Sequence, residues 1–364
     1  VIEAFCKHLK LKKQLKIQGD LKFGGNVMQG KMYYRNIGNS ELKASVVGLG
    51  TFAIGGWFWG GVEEKQAISA IQASIDQGVN LIDTAPIYGF GLAEEIVGKA
   101  IKGRRDQVII ATKVGLVWDN KEGDFHCYAN DQWPTSEPSK YEIYQNLKPS
   151  SIQKEIERSL KRLRVDYIDL YQTHWQDSTT PIERTMETLE KLKNEGKIRE
   201  IGVSNITVDQ LKRYGNIASV QEKFSLIDRN IVEKGIVNYC IEHNISILSY
   251  FTLEQGLLTG TMSPDRQFKE GDMRKNNQKF TPENRRKINE LLHMFNGIAE
   301  KYECSITQLM IALTLAQPGI THALIGARDE NQAIENAQGG FLSLQNEDIQ
   351  FMNDQFKKFI KNIY

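Results

Sequence analysis

Between Val46 and Ile325, short apolar runs alternate with stretches whose apolar residues recur every three or four positions, and few folds can use that order. The runs Val46-Val47-Gly48-Leu49-Gly50, Asn80-Leu81-Ile82-Asp83, Val108 to Lys113, Tyr167 to Gln172, Ile198 to Val203, Ser219-Val220-Gln221, Ile245 to Tyr250 and Ala323-Leu324-Ile325 read as strands. Ala67, Ile68, Ile71 and Ile75 fall on one helical face, as do Ile152, Ile156, Leu160 and Leu163, and then Ile182, Met186, Leu189 and Leu192. Further helices are predicted around Ala93 to Ile101, Ile236 to Ile241 and Ile306 to Leu315. So many strands separated by helices exceed what a short open sheet needs, and they predict an α/β chain closed as a parallel (β/α)8 TIM-type barrel. No Pro/Ser-rich linker interrupts the pattern, so residues 32–364 are read as one barrel domain.

Residues 1–31 are different in kind. They hold seven lysines but no arginine, serine or proline, and they run through the Gly-rich stretch Gly24 to Gly30. That composition fits neither a secretory h-region nor an Arg- and Ser-rich transit peptide. A poorly ordered extension is expected there, with Met32 as a natural start.

Charge and cysteine content narrow the partners. With 46 Lys+Arg against 45 Asp+Glu the net charge is +1, which gives no global field for nucleic acid or anionic lipid. A small neutral molecule is the natural partner, and oligomeric state is left open. Cys6, Cys127, Cys240 and Cys304 are widely spaced and form no CxxC pair, which argues against a disulfide framework or a metal site and for a reducing cytoplasm. No apolar run approaches the roughly 18 residues needed to span a bilayer.

One motif competes with the barrel. Gly48-Leu49-Gly50-Thr51-Phe52-Ala53 matches a dinucleotide fingerprint, but that fingerprint works only when its last position opens a helix facing the pyrophosphate. Here Ile54-Gly55-Gly56-Trp57-Phe58-Trp59-Gly60-Gly61 follows, too rich in glycine and aromatics for a first helical turn. An aromatic pocket wall is the better reading, with Trp57 and, from the next long loop, Trp118 as substrate-binding candidates.

The chemistry shows in what ends the strands. Asp83, Lys113 and His174 each close an apolar run, and Tyr88 stands five residues after Asp83. In a barrel these ends converge on one opening, so they are the catalytic candidates. The segments Asp83-Thr84-Ala85-Pro86-Ile87-Tyr88-Gly89, Ile110-Ala111-Thr112-Lys113 and Asp169-Leu170-Tyr171-Gln172-Thr173-His174-Trp175 resemble the signatures of the aldo-keto reductase superfamily. Gly202-Val203-Ser204-Asn205, Gly256-Leu257-Leu258-Thr259-Gly260 and Ile325-Gly326-Ala327-Arg328 extend the likeness, which runs from about Tyr33 to Gln338 and is nearest to the bacterial and channel-β-subunit-like branches.

This resemblance implies an NADP-dependent oxidoreductase that reduces an aldehyde or ketone, NAD(H) being the less favoured coenzyme. It makes Tyr88 the general acid/base, tuned by Lys113, Asp83 and His174. The chemistry agrees, because the developing alkoxide needs a proton and an ammonium beside a phenol favours its release. For the coenzyme, Ser204, Asn205 and Gln221 carry the donors and acceptors that suit a carboxamide, the resemblance puts Tyr250 on the ring face and leaves Leu253 for a backbone contact, and Gly326 and Arg328 precede a helix on which Gln332, Glu335 and Asn336 share one face as a phosphate site. Where some branches carry a second Arg this chain has Gln332, and Tyr250-Phe251-Thr252-Leu253 lacks the proline of the usual Tyr-x-Pro-Leu. The loops 115–149 and 261–281 read as long, polar and mobile, and name no substrate. A regulatory, cofactor-binding subunit of the same fold stands as the alternative.

Overall fold

The computed structural model describes residues 30–56, 62–131, 134–135, 137–269 and 271–363. Residues 1–29, including most of the N-terminal extension, and Trp57 lie outside the described residues. The unit Lys31–Tyr364 is built on eight parallel strands: β1 (Val47–Gly50), β2 (Leu81–Asp83), β3 (Ile109–Val114), β4 (Ile168–Thr173), β5 (Ile198–Ser204), β6 (Ser219–Lys223), β7 (Ser246–Tyr250) and β8 (Ile320–Gly326). Pairing of β8 with β1 closes them into a barrel. The helices that follow in turn include α1 (Glu64–Asp76), α2 (Leu92–Ala100), α3 (Pro149–Leu163), α4 (Ile182–Asn194), α5 (Val208–Tyr214), α6 (Ile236–His243), α7 (Ile306–Leu315) and α8 (Glu330–Gln338).

Strand alternation decides what enters the barrel. Ile82, Ile110 and Tyr171 point outward and join the large core beneath the helices, whereas Leu81, Ile109, Ala111, Leu170, Leu248 and Leu324 fill the lumen. The hairpin formed by Tyr34–Asn36 and Lys43–Ser45 closes the lower end, with Ile37, Leu42 and Ala44 in that same inner cluster. Two positions further along the strands come Asp83, Lys113 and Gln172, so a polar layer caps the apolar floor. The registers Asp83↔Ala111 and Gln172↔Lys113 hold these groups near one level. Local signals set the helix starts: Pro149 opens α3, and Ser305 with Gln308 forms a capping box on α7.

The loop 115–149 departs from the mobile segment expected. Leu116–Val117, Asp124–Ala129, Pro134–Thr135 and Tyr141–Gln145 form a four-stranded antiparallel sheet beside the barrel mouth. Its polar composition hid strands whose inner side chains, Leu116, Ala129 and Ile143, pack with Ala85 and Ile87. The segment 261–281 is also packed rather than loose where described, because Phe268 sits against Phe280 and under the guanidinium groups of Arg266, Arg274 and Arg285. No described helix is long and apolar enough to cross a membrane.

Candidate active site

Asp83 and Lys113 meet at the top of the lumen. The Lys113 ammonium, 0% exposed, donates to both Asp83 oxygens at 2.9 and 2.8 Å, to the Thr84 carbonyl at 2.9 Å and to the Tyr88 hydroxyl at 3.1 Å. Asp83 is held from the far side by Gln221, whose Nε2 donates at 2.7 Å, and more distantly by Gln172 at 3.5 Å. A buried ammonium is tolerated only with such compensation. Burial works against the charge on Lys113, but Asp83 and Tyr88 outweigh it and raise its pKa above the ordinary lysine value.

Tyr88 is held by the backbone of its turn. Gly55 packs so tightly against it that a Cβ there would come within 2.6 Å of the Tyr88 carbonyl carbon. Gly89, at φ +68°, abuts the Gly55 carbonyl in return. The phenol ring lies between Phe52, 4.9 Å away, and the edge of His174, 5.9 Å away. Its pKa is raised, burial prevailing over the lowering effect of Lys113. The lowering expected from Lys113 is therefore only part of the balance. His174 follows β4, its N–H bonded to the Val114 carbonyl at 2.8 Å. Burial first, then Lys113 and His126, push its imidazole well below the ordinary histidine range, so it is neutral near pH 7.

A cavity of about 590 Å3 opens over this cluster. Asp83, Tyr88 and His174 line it, with Lys113 behind Tyr88. From the other half of the barrel Asn205, Gln221, Tyr250, Leu253, Gly326, Arg328, Gln332, Glu335 and Asn336 reach the same cavity. Asn205, at φ +54°, donates to the His174 carbonyl at 2.9 Å and accepts from the Tyr250 hydroxyl at 2.7 Å, tying β4, β5 and β7 together. Ser204 stands beside it with a buried hydroxyl that lacks a partner among the described residues. At α8, Gln332 Oε1 accepts from the Arg328 N–H at 3.1 Å, Asn336 Nδ2 donates to the Gly326 carbonyl at 3.1 Å, and Glu335 accepts from Ser305 at 2.8 Å. Gln332 thus serves the turn into the helix.

Among the described candidates, Trp118 is placed apart from the catalytic cluster. It packs edge-on against Phe90 at 5.3 Å, inside the cluster under the inserted sheet, and is absent from the cavity wall. Sequence reasoning missed His126, Trp175 and Arg266, all of which line the cavity. His126 and Arg266 lie in the two loops read as featureless, and Trp175 had only its place beside His174 as a signal.

The barrel thus gathers a phenol, an ammonium, a carboxylate and an imidazole at its C-terminal mouth, where barrel enzymes hold their active sites. The chain belongs to the Aldo/keto reductase family, whose model matches residues 46–354, and so is an oxidoreductase acting on carbonyl and alcohol groups. It is 40% identical over 307 residues to the aldo-keto reductase YhdN of Bacillus subtilis (strain 168), covering 83% of this chain and 86% of that one. It is 38% identical over 327 residues to the NADH-specific methylglyoxal reductase of Escherichia coli (strain K12), covering 87% and 96%. Its fold matches the glycerol dehydrogenase AKR11B4 from Gluconobacter oxydans with a TM-score of 0.78 at 35% identity, over 93% of this chain and 98% of the other.

Proposed function

We propose that this chain reduces small aldehydes and ketones with NADP(H) as preferred coenzyme and NAD(H) as the lesser one, Tyr88 giving the proton. The observation that carries the reading is the contact between the Tyr88 oxygen and the fully buried, Asp83-clamped Lys113. When bound, the dihydronicotinamide supplies hydride to the carbonyl carbon while the C=O electron pair moves onto oxygen. Tyr88 passes its proton to that oxygen, and the ammonium of Lys113 stabilises the phenolate left behind. Asp83 keeps Lys113 charged and in place, and neutral His174 offers an N–H to the substrate oxygen.

The residues present fit such a coenzyme. Ser204 has an unpartnered buried hydroxyl, Asn205 keeps a second amide hydrogen, and Gln221 lines the cavity with its nitrogen on Asp83, a set that suits a carboxamide that both donates and accepts. Tyr250 supports the ring face, and the Leu253 backbone borders it. Arg328 and Arg266 share the cavity, close enough to act on one another electrostatically. Guanidinium groups beside the start of α8 favour a 2′-phosphate.

The two relatives named for a substrate act on methylglyoxal and glycerol, which both carry oxygen on adjacent carbons. Small vicinally oxygenated carbonyl compounds are accordingly the substrate class we favour. A cytoplasmic location belongs to the same reading, supported by the free thiols of Cys127, Cys240 and Cys304. Steady-state oxidation of NADPH with an activated aromatic aldehyde tests the core of it: a chain that binds NADPH yet turns over no carbonyl compound refutes reductase function.

A further inference from the structure

The inserted sheet carries a defect in register at the point where it meets the cavity. Phe125 pairs with Tyr144 and Cys127 with Ile143, so His126 is the extra residue of a β-bulge. Bulges re-aim side chains, and this one brings an imidazole to a wall formed otherwise by Leu116, Cys127, Pro134 and Ile143. The ring packs beside Trp175, with centroids 5.3 Å apart. Gln145, on the partner strand, places its amide nitrogen 2.9 Å from His126 Nδ1. An amide nitrogen only donates, so Nδ1 accepts and the ring proton sits on Nε2. Nε2 has no partner among the described residues.

We propose that His126 is a specificity-determining residue whose Nε2–H receives an oxygen carried on the carbon next to the reacting carbonyl. The inference rests on the hydride-transfer reading above and refines its substrate class. Tyr88 and His174 serve the reacting oxygen, and His126, near enough to His174 to act on it electrostatically, supplies a donor for a second one. Burial holds its imidazole below the ordinary histidine value, so the donor is neutral at pH 7 and meets a hydroxyl or keto oxygen without needing a charged partner. A 2-oxoaldehyde or a 2-hydroxyaldehyde fits, and an unsubstituted aldehyde leaves the donor unanswered. Such a loss discriminates where an apolar wall could not.

The test compares kcat/KM for methylglyoxal and glyceraldehyde with that for propanal, in the wild type, His126→Phe and His126→Gln. The preference for the oxygenated substrates should fall roughly tenfold in His126→Phe, the worth of about one neutral hydrogen bond, and recover in part in His126→Gln, which keeps an N–H. Tm and NADPH affinity measured alongside establish that each variant is folded. A preference unchanged within about twofold, or an equal fall for all three substrates, overturns the proposal and leaves His126 a packing residue. A wild-type protein that reduces none of them removes the hydride-transfer reading, and the proposal with it.

Discussion

Replacing Tyr88 by Phe separates chemistry from structure. The hydroxyl is one of four partners of the Lys113 ammonium, and the three that remain, two Asp83 oxygens and the Thr84 carbonyl at 2.8 to 2.9 Å, still satisfy its three hydrogens. The ring keeps its contacts with Phe52 and His174. Stability should therefore drop by no more than about 1.5 to 3 kcal/mol, the worth of one hydrogen bond to a charged group. Hydride transfer loses its acid, and a general acid contributes roughly a hundred- to ten-thousand-fold, or ~3 to 5 kcal/mol of barrier. Single-turnover oxidation of bound NADPH by an activated aldehyde measures that step, and fluorescence titration measures NADPH affinity. The expected outcome is a rate at most about 1% of wild type with affinity nearly unchanged. A variant that keeps more than a few per cent of the rate in that step refutes the role given to Tyr88.

Three further outcomes are expected. Arg328→Ala should weaken NADPH binding by about ten- to a hundredfold, the worth of charge-assisted bonds to a 2′-phosphate, and leave NADH nearly untouched; an unchanged ratio of the two dissociation constants removes Arg328 from the site. Glu155, on α3, is buried against the Gly115 N–H with its pKa raised to about 8, so the folded chain keeps a proton that the unfolded chain releases above about 4.5, and stability is lost as pH rises between these values. Glu155→Gln should then stabilise the protein by about 2 to 3 kcal/mol at pH 7, and denaturant unfolding that gives no larger gain at pH 8 than at pH 5 contradicts this. Deleting residues 1–31 should leave melting temperature and turnover unchanged, since their composition offers little apolar surface to bury, and a large loss of either assigns the extension a part in the barrel or its site.

What was legible in the sequence follows from periodicity. Leu81 and Asp83 share a face because strand side chains alternate, so an ionisable group at the end of an apolar run had to surface in the barrel mouth; Lys113 was readable for the same reason. Trp118 was not, because an aromatic residue in a loop looks the same in sequence whether it stacks on Phe90 or faces a ligand. His126 was hidden more deeply. Its position depends on a one-residue slip between two strands inside a polar insertion, and a slip reverses the face without altering composition. Arg266 owes its place to the packing of Phe268 among three guanidinium groups, a tertiary arrangement with no repeat to betray it.

The same geometry bears on which group gives up the proton. Lys113 lies within reach of the phenol, but its hydrogens are committed to Asp83, Thr84 and Tyr88, and its pKa is raised by the carboxylate that holds it. Transfer from Lys113 would leave Asp83 as an uncompensated buried charge, a cost of several kcal/mol. His174 is neutral, and a neutral imidazole that gave up its N–H would become an anion in a buried site. Tyr88 differs from both. Its oxygen accepts from Lys113, which leaves its own hydrogen directed elsewhere, and the cavity lies before it. Loss of that hydrogen places a negative charge beside an ammonium already in position, so the charge created by proton transfer is the one the site is built to receive. Burial raises the pKa of the phenol, but Lys113 offsets part of that cost, and this supports the proposed assignment of Tyr88 as the acid.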